Sequence, residues 1–194
     1  YQASSSEMYG NNNFKSQNEK TPFSPSSPYA AAKLYAHSIT NIYRKSYGIF
    51  ACTGILFNHE SPLRGLEFVS RKITNSVAAI SLGLRNELIL GNLNAKRDWG
   101  FAEEYMEAIY RMMHKSKPDD FVISTGVAHS VSDFVKEAFD LVGLNWKKYV
   151  KTDKKFLRPF EVNFLKGDYK KAAKQLGWKP KITFKKLVKL MLDE

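Results

Sequence analysis

The sequence predicts an α/β fold built on a doubly wound parallel sheet, and three observations carry that prediction. The run "IFACTGILF" (residues 49–57) is almost continuously apolar, as expected of a strand buried on both faces of a parallel sheet. A long helix with a marked start and a marked stop separates it from a shorter strand at the beginning of the chain, which is the order strand, helix, strand. Strands and helices then keep alternating to the C-terminus. With 194 residues, 43% of them apolar, the chain can bury a real core as one domain or as two small ones.

Taken in order, "YQASSSEMYG" (residues 1–10) reads as a short strand that ends in a polar loop closed by Gly10. Residues 11–27 are rich in Asn, Ser, Pro and Lys and lack periodicity, so they read as a surface loop of the length associated with sites. Ser27 or Ser26 caps the next helix and Pro28 opens it, because the N–H that proline lacks has no partner at that position anyway. Apolar residues recur at helical spacing from there (Ala32, Tyr35, Ala36, Ile39, Ile42, Tyr43) as far as Tyr47, and Gly48 is a natural stop. The apolar strand follows, then "NHESPLRG" (58–65) as a loop at the carboxyl edge of the sheet. Val69 to Leu82 reads as a helix stopped by Gly83, Glu87 to Leu90 as a short strand, and "GNLNAKRDWG" (91–100) as another loop. A helix over 102–114 leads to a strand over 121–125. Ser130 with Asp133 has the spacing of a capping box and opens a helix from Val131 to Val142, stopped by Gly143. After a Lys-rich link at 147–155, Asp168 caps one helix and Thr183 caps a last amphipathic one. No internal repeat, low-complexity tract or independent linker interrupts the series.

Several side chains in this frame have chemistry to offer. Tyr29 and Lys33 are four residues apart, one turn above each other on one helix face. An ammonium beside a phenol favours the phenolate, the condition for a tyrosine that exchanges protons with a substrate hydroxyl at neutral pH. Ligands of a doubly wound sheet bind at the carboxyl ends of its strands, where Ser5, Glu7 and Asn58 fall. A serine, a tyrosine and a lysine gathered there can polarise an alcohol or carbonyl while hydride moves to or from a nicotinamide. Glu7 lies two residues after Ser5, on the same side of an extended chain, so a carboxylate and a hydroxyl can address adjacent carbons of one substrate. Oxidising an alcohol acidifies the neighbouring C–H, and a carboxylate beside it can remove that proton and start an elimination. Each residue also has an ordinary explanation. Tyr-x-x-x-Lys occurs in plain amphipathic helices, and Glu7 is equally suited to a cap or a surface pair.

The net charge of +11 comes mostly from lysines concentrated at 147–155 and 166–189. They are spaced among apolar residues and no aromatic-rich nucleic-acid motif accompanies them, so they read as solvated faces and no nucleic-acid partner is expected. A small ligand carrying a polyphosphate would profit from the positive field. The single cysteine, Cys52, excludes an internal disulfide and a cysteine metal cluster, reads as a core residue, and fits a reducing, cytoplasmic setting. His37, His114 and His129 lack metal-ligand spacing. No apolar run approaches about 18 residues and no basic-plus-apolar leader occurs, so neither a membrane span nor a secretion signal is expected. Tyr1 opens directly into a strand, which predicts that the chain begins inside a larger protein.

The segments "YQASSSEMYG", "TPFSPSSPYAAAK", "GILFNHESPLRG", "FVSRKIT", "LGNLNAKRDWG", "DFVISTG", "RPFEVNFLKGD" and "LGWKPKITF" span nearly all of the chain. In order and spacing they resemble the carboxyl-terminal part of the GDP-mannose 4,6-dehydratases, a family of extended short-chain dehydrogenases/reductases. Tyr-x-x-x-Lys is common to that superfamily, whereas "FNHESP" with "AKRDWG" and "RPFEV" is far more specific. The resemblance implies the later portion of a Rossmann-like sheet plus a smaller α/β substrate-binding domain. Residues 1–58 would then belong to the dinucleotide-binding domain and 59–194 mainly to the nucleotide-sugar-binding domain, with elements around 101–125 returning to the Rossmann sheet. It implies NADP as cofactor, GDP-mannose as substrate, and a homodimer or homotetramer. Tyr29 would be the acid/base at the sugar C4 hydroxyl, with Lys33 binding the nicotinamide ribose and tuning Tyr29. Ser5, where threonine is usual, would hydrogen-bond the C4 oxygen, and Glu7 would be the base at C5. His59 and Arg64 would touch the cofactor, while Asn58, Arg97, Arg158 and Glu161 would hold the GDP-sugar, a planar guanidinium being suited to phosphate or ribose oxygens. Ordinary pairings, Arg97 with Asp98 and Arg158 with Glu161, account for three of those residues equally well, and Asn58 and His59 read equally as loop-turn residues.

The chain departs from the family pattern at Leu63, where arginine is common, and at Phe101, where histidine is common. The larger departure is that the amino-terminal half of the family's fold, with its glycine-rich fingerprint, is absent: no G-x-G-x-x-G or G-x-x-G-x-x-G occurs. The chain alone is therefore expected to bind NADP weakly and to lack turnover. Other readings on the same scaffold are a dehydratase for another GDP- or UDP-sugar such as GDP-manno-heptose, an epimerase or a reductase. A reading of another class is a non-catalytic basic binding or assembly module. Dimerisation is expected through the helix carrying Tyr29, on a second face containing His37, Thr40 and Arg44.

Overall fold

The computed structural model describes residues 1–157 and 160–193, so Arg158 lies outside the described residues. The chain opens with β1 (Gln2–Ser5) and a 3₁₀ turn (Ser6–Tyr9), and after a loop enters α1 (Pro28–Tyr47). Ser27 caps α1, its Oγ accepting from Ala30 N at 3.1 Å, and Gly48 ends the helix at a φ of 64°, a left-handed conformation that glycine takes without strain. Then come β2 (Thr53–Leu56), β3 (Asn58–Glu60), α2 (Val69–Ser81), β4 (Leu88–Leu90), β5 (Lys96–Arg97), β6 (Trp99–Phe101) and α3 (Ala102–Met113). The series ends with β7 (Asp120–Ile123), β8 (His129–Ser130), α4 (Val131–Leu141), β9 (Val150–Thr152), α5 (Lys170–Leu176) and α6 (Phe184–Leu192). Both halves of the capping box of α4 form: Ser130 Oγ accepts from Asp133 N, and Asp133 accepts from Ser130 N. Asp168 stands one position before the cap of α5 and accepts from Lys170 N at 3.0 Å.

The sheet that organises the chain is parallel, in the order β1-β2-β7, with Ser5 opposite Leu56 and Leu56 opposite Ile123. β2 is central and buried at every position, in keeping with the almost continuously apolar run that contains it. Alternate residues serve two cores. Ile55, Phe57 and Val122 pack with Met8, Tyr9 and Leu165 on one face, while Leu56, Phe121 and Ile123 pack with Tyr105, Met112, Leu176 and Trp178 on the other. A third core joins α2, α4 and α6 through Val77, Phe134, Phe139, Val188 and Met191. Three two-stranded pairings complete the frame: β3 with β6 and β4 with β9, both parallel, and β5 with β8, antiparallel.

Three stretches expected to be loops thus contain strands. "NHESPLRG" starts with β3, "GNLNAKRDWG" contains β5 and most of β6, and the Lys-rich link contains β9. Each has two or three residues and exists because a distant partner pairs with it, so none has room for an alternating pattern. The face of α1 also differs from expectation. Ala30 and His37 are its buried residues, whereas Tyr35, Ile42, Tyr43 and Tyr47, read as an apolar periodicity, are exposed, Tyr35 and Tyr47 by about 70%. His37 and Arg44 face inward instead, so they are not part of an outer face.

The outward edge of β7 is occupied by side chains. Glu19 Oε1 accepts from Val122 N at 2.8 Å, and Lys171 Nζ donates to Asp120 O at 2.8 Å. The loop before α1 is held down by Gln17, whose backbone forms a bridge to Gly167 and whose Oε1 accepts from Lys166 N. Among the described residues no helix is long and apolar enough to cross a membrane.

Candidate active site

The site is built where β1 ends. Ser5 keeps an extended backbone, and its Oγ accepts from Glu7 N at 3.2 Å, which caps the 3₁₀ segment that carries Glu7. Gly10 then lets the chain double back. Its φ is 58° and a Cβ there would lie 1.8 Å from Ser24 O, so both backbone angle and space require glycine.

The first turns of α1 stand beside this strand end. Tyr29 is 56% exposed, and Lys33 Nζ lies 5.7 Å from its ring centroid, so the spacing of four does put the ammonium over the phenol. Lys33 Nζ also donates to Ala3 O at 3.0 Å, which ties the helix to β1. From the other side comes Arg97, on β5, with Nε 3.8 Å from Glu7 Oε1. The β3–β6 register sets Asn58 opposite Trp99, two residues beyond Arg97. Ser5, Glu7, Tyr29, Lys33, Asn58 and Arg97 are therefore carried by neighbouring elements around the carboxyl ends of β1 and β2.

The remaining candidates are held by other groups. His59 Nδ1 lies 2.9 Å from Phe57 O, and its ring stacks on Tyr105 at 5.2 Å; burial pushes its pKa down, so it is neutral at pH 7. Arg64 lies over the Phe68 ring, its Cζ 3.5 Å from the centroid, and its Nε is 3.1 Å from Glu60 Oε2. Glu60 is 2% exposed and accepts a 2.6 Å hydrogen bond from Ser70 Oγ. Burial pushes its pKa up, against the pull of Ser70 and Arg64. Glu161 accepts from Asn92 Nδ2 at 3.0 Å, while Asn11 grips its segment at both ends, donating to Glu161 O and accepting from Asn163 N, both at 2.8 Å. Among the described contacts none joins His59, Arg64 or Glu161 directly to Tyr29 or Lys33.

Asp98 does not pair with Arg97 as proposed from their adjacency. It is fully buried: its Oδ1 accepts from Thr125 N and Oγ1 (2.7 and 2.6 Å), and its Oδ2 from Gly126 N and Gly167 N (2.9 and 3.1 Å). Lying between β5 and β6, it staples their junction to the loop after β7 and to residue 167, directly beside the strand that presents Arg97. Asn11, Glu60, Asn92 and Asp98 were not singled out as supports of the site, since their partners lie up to 152 residues away; only their place inside or beside the quoted motifs marked them.

An exposed phenol beside an ammonium that has donated one of its three N–H bonds to Ala3 O suits the ribose and nicotinamide end of a dinucleotide. The sequence carries no G-x-G-x-x-G phosphate turn. Among the described residues no group of three or more His, Cys, Asp or Glu could hold a metal ion.

Comparison with known proteins identifies the family and the fold. The profile of the family "GDP-mannose 4,6 dehydratase" matches residues 1–191. GDP-mannose 4,6 dehydratase 1 of Arabidopsis thaliana is 55% identical over 194 residues, covering 100% of this chain and 54% of the relative. The GDP-mannose 4,6 dehydratase of Homo sapiens is 49% identical over 209 residues, covering 99% of this chain and 56% of the relative. The chain thus spans about half the length of the curated relatives it matches. Two more distant structures show the same fold. RMD from Pseudomonas aeruginosa, solved with NADPH, has a TM-score of 0.88 at 22% identity and covers 98% of this chain and 64% of its own. The dTDP-glucose 4,6-dehydratase of Bacillus anthracis, solved with NAD, has a TM-score of 0.86 at 23% identity, with coverages of 98% and 59%.

Proposed function

The chain belongs to the GDP-mannose 4,6-dehydratase family, and from that premise we propose that the protein converts GDP-mannose to GDP-4-keto-6-deoxymannose with NADP as its cofactor. The observation that carries the reading is the strand end itself: a hydroxyl (Ser5) and a carboxylate (Glu7) two residues apart, beside a Tyr29–Lys33 turn bonded back to Ala3 of the same strand.

NADP, held by Tyr29, Lys33, His59 and Arg64, would supply a reversible hydride acceptor for the C4 and C6 carbons. The residues handle everything else. Ser5 Oγ hydrogen-bonds the C4 oxygen and Tyr29 takes its proton, with Lys33 held beside the phenol ring. With C4 a ketone, the C5 proton is acidic, and Glu7 removes it as the C6 hydroxyl leaves. Two protons are taken up, one from the C4 hydroxyl and one from C5; one departs in the water and the other returns to C5, so the net change is loss of one water. Arg97 suits the diphosphate, and Asn58, Arg158 and Glu161 the nucleotide and sugar. In this reading His59 and Arg64 would touch the cofactor, and the chain divides into a dinucleotide part (1–58, joined by elements around 101–125) and a mainly sugar-nucleotide part (59–194).

The experiment is incubation of the protein, in the longest form its gene encodes, with GDP-mannose and NADP, with the product weighed by mass spectrometry. Loss of one water supports the reading. An unchanged mass with inverted stereochemistry would point to an epimerase, and no conversion together with salt-sensitive polyanion binding to a basic binding module.

A further inference from the structure

We propose that His37 is a positioning residue: its ring locks the register of α1 on β1, and so keeps the Tyr29–Lys33 turn in line with the Ser5–Glu7 strand end, an inference that rests on the catalytic roles given above. Tyr29, Lys33, His37 and Asn41 follow one another at intervals of four and form a single stripe along α1. Two of them reach consecutive residues of β1. Lys33 Nζ meets Ala3 O at 3.0 Å, and His37 Nδ1 meets Ser4 Oγ at 2.9 Å. The lysine stem has four rotatable bonds and tolerates a shift of the helix. The imidazole is short, and both it and Ser4 are buried, so the second contact fixes where the helix sits.

The surrounding groups determine which ring nitrogen carries the proton. Asn41 Oδ1 receives Arg44 Nη2, and Asn41 Nδ2 donates to His37 O at 3.2 Å, so turning the amide over would set NH₂ against a guanidinium and oxygen against a carbonyl. With the amide in this orientation, its Nδ2 faces His37 Nε2 at 3.1 Å, which makes Nε2 an acceptor. Nδ1 therefore bears the hydrogen and donates to Ser4 Oγ. Arg44 anchors the far end of the stripe, with Nη1 on Ala51 O at 3.0 Å and Nη2 2.8 Å from Asp120 Oδ1, which also accepts from Thr53 Oγ1. The network thus runs from β1 through α1 to β2 and β7.

The groups facing the ring are Ser4 from β1, the edge of Phe23 from the preceding loop, Asn41 and Arg44 from α1, and Asp120 from β7. Burial pushes the imidazole toward the neutral form and Arg44 adds to this, while Asp120 opposes it. A proton added to Nε2 would meet the Asn41 NH₂ donor and break that hydrogen bond, while Nδ1–H still donates to Ser4 Oγ.

The first test is the histidine ring ¹⁵N spectrum of the 194-residue protein, in which His37 is expected with its proton on Nδ1; an Nε2–H tautomer overturns the proposal. The second is amide hydrogen exchange. His37→Phe is expected to speed exchange at residues 4–7 by about tenfold while leaving β2 unchanged, and His37→Gln, which retains a donor, to recover most of it. Unchanged exchange overturns the proposal, and if His37→Phe does not fold, Ser4→Ala removes the same bond from the other side. In a protein with dehydratase activity, His37→Phe is expected to lower kcat about tenfold at unaltered KM, a rise in KM alone being contrary to the proposal. Absence of any turnover would sink the functional reading, and the tautomer and exchange results would still decide the register lock.

Discussion

Replacing Asp98 by alanine takes the acceptor away from four donors at once: Thr125 N, Thr125 Oγ1, Gly126 N and Gly167 N. A buried donor without a partner costs roughly 1–3 kcal/mol, and water entering the space left by the carboxylate limits the loss to the lower end of that range, so four donors correspond to about 4 kcal/mol. Asn at the same position keeps one oxygen and turns the other into a donor, which leaves two of the four unpaired whichever way the amide is turned, about 2 kcal/mol. With a urea slope of about 2 kcal/mol per molar, the unfolding midpoint should fall by about 2 M for Asp98→Ala and about 1 M for Asp98→Asn. The carboxyl also gives the effect a pH signature. Burial raises its pKa above the ordinary 3.8, although Thr125, Gly167 and Gly126 pull the other way. The folded state therefore binds a proton more tightly than the unfolded one. Its stabilising contribution is full below about 3.8 and declines as pH rises through the raised folded value, so the gap between parent and Asp98→Asn should narrow on going from acid toward neutral pH. Equilibrium urea unfolding at several pH values measures both quantities. A midpoint for Asp98→Ala within about 0.3 M of the parent would show that the four donors are satisfied otherwise, and would refute the stapling role.

Glu7→Gln should lower dehydration by 10²–10⁴-fold, on the order expected for loss of a positioned general base, with substrate affinity held within a few-fold; a full rate by product mass would exclude Glu7 as the base. Gly10→Ala, which forces a methyl onto Ser24 O at a φ of 58°, should cost about 2 kcal/mol or more, read as a drop in thermal midpoint; an unchanged midpoint would mean that the loop has another way to close. Burial by itself would raise Asp120, but hydrogen bonds from Thr53 and Arg44 and the charges of Arg44 and His37 leave it lowered. Stability from this carboxylate is present above its unfolded value of 3.8 and is lost as pH falls through the depressed folded value, so Asp120→Asn should flatten that acid limb in a pH series of urea midpoints. If the exposed row on α1 seats a second copy, Tyr43→Asp with Tyr47→Asp should shift the sedimentation coefficient to that of the monomer, and an identical profile for parent and variant would remove this face from the interface.

Elements whose signals are local could be read directly from the chain. The Ser27–Pro28 start and Gly48 stop of α1, the Ser130–Asp133 capping box, and the apolar run of β2 each depend on residues within a turn or a strand of one another. β3, β5, β6 and β9 were not legible, because a two- or three-residue strand exists only through its distant partner. The apolar periodicity of α1 indicated a helix correctly but did not say which face turns inward; Lys33, His37 and Arg44, all polar, are the residues that reach β1 and β7. The same division runs through the site. Tyr29 with Lys33, and Ser5 with Glu7, are neighbours in sequence and were readable by spacing. Arg97 reaching Glu7 and Asn92 holding Glu161 are separated by 90 and 69 residues, and no periodicity records them.

The side chains along β7 give the sheet a direction of growth. With Val122 N bonded to Glu19 and Asp120 O to Lys171, an incoming strand would find those main-chain groups already engaged on that flank. On the opposite flank the Ala3 carbonyl accepts, among the described residues, only from the ends of two long side chains with several rotatable bonds, Lys33 Nζ and Gln2 Nε2, both at 3.0 Å. Any further strand, whether from the same polypeptide or from a stray neighbour at high concentration, is thus steered to β1. A single carboxylate, Glu19, is in this sense a guard against misassembly as well as a tether for the loop that carries it.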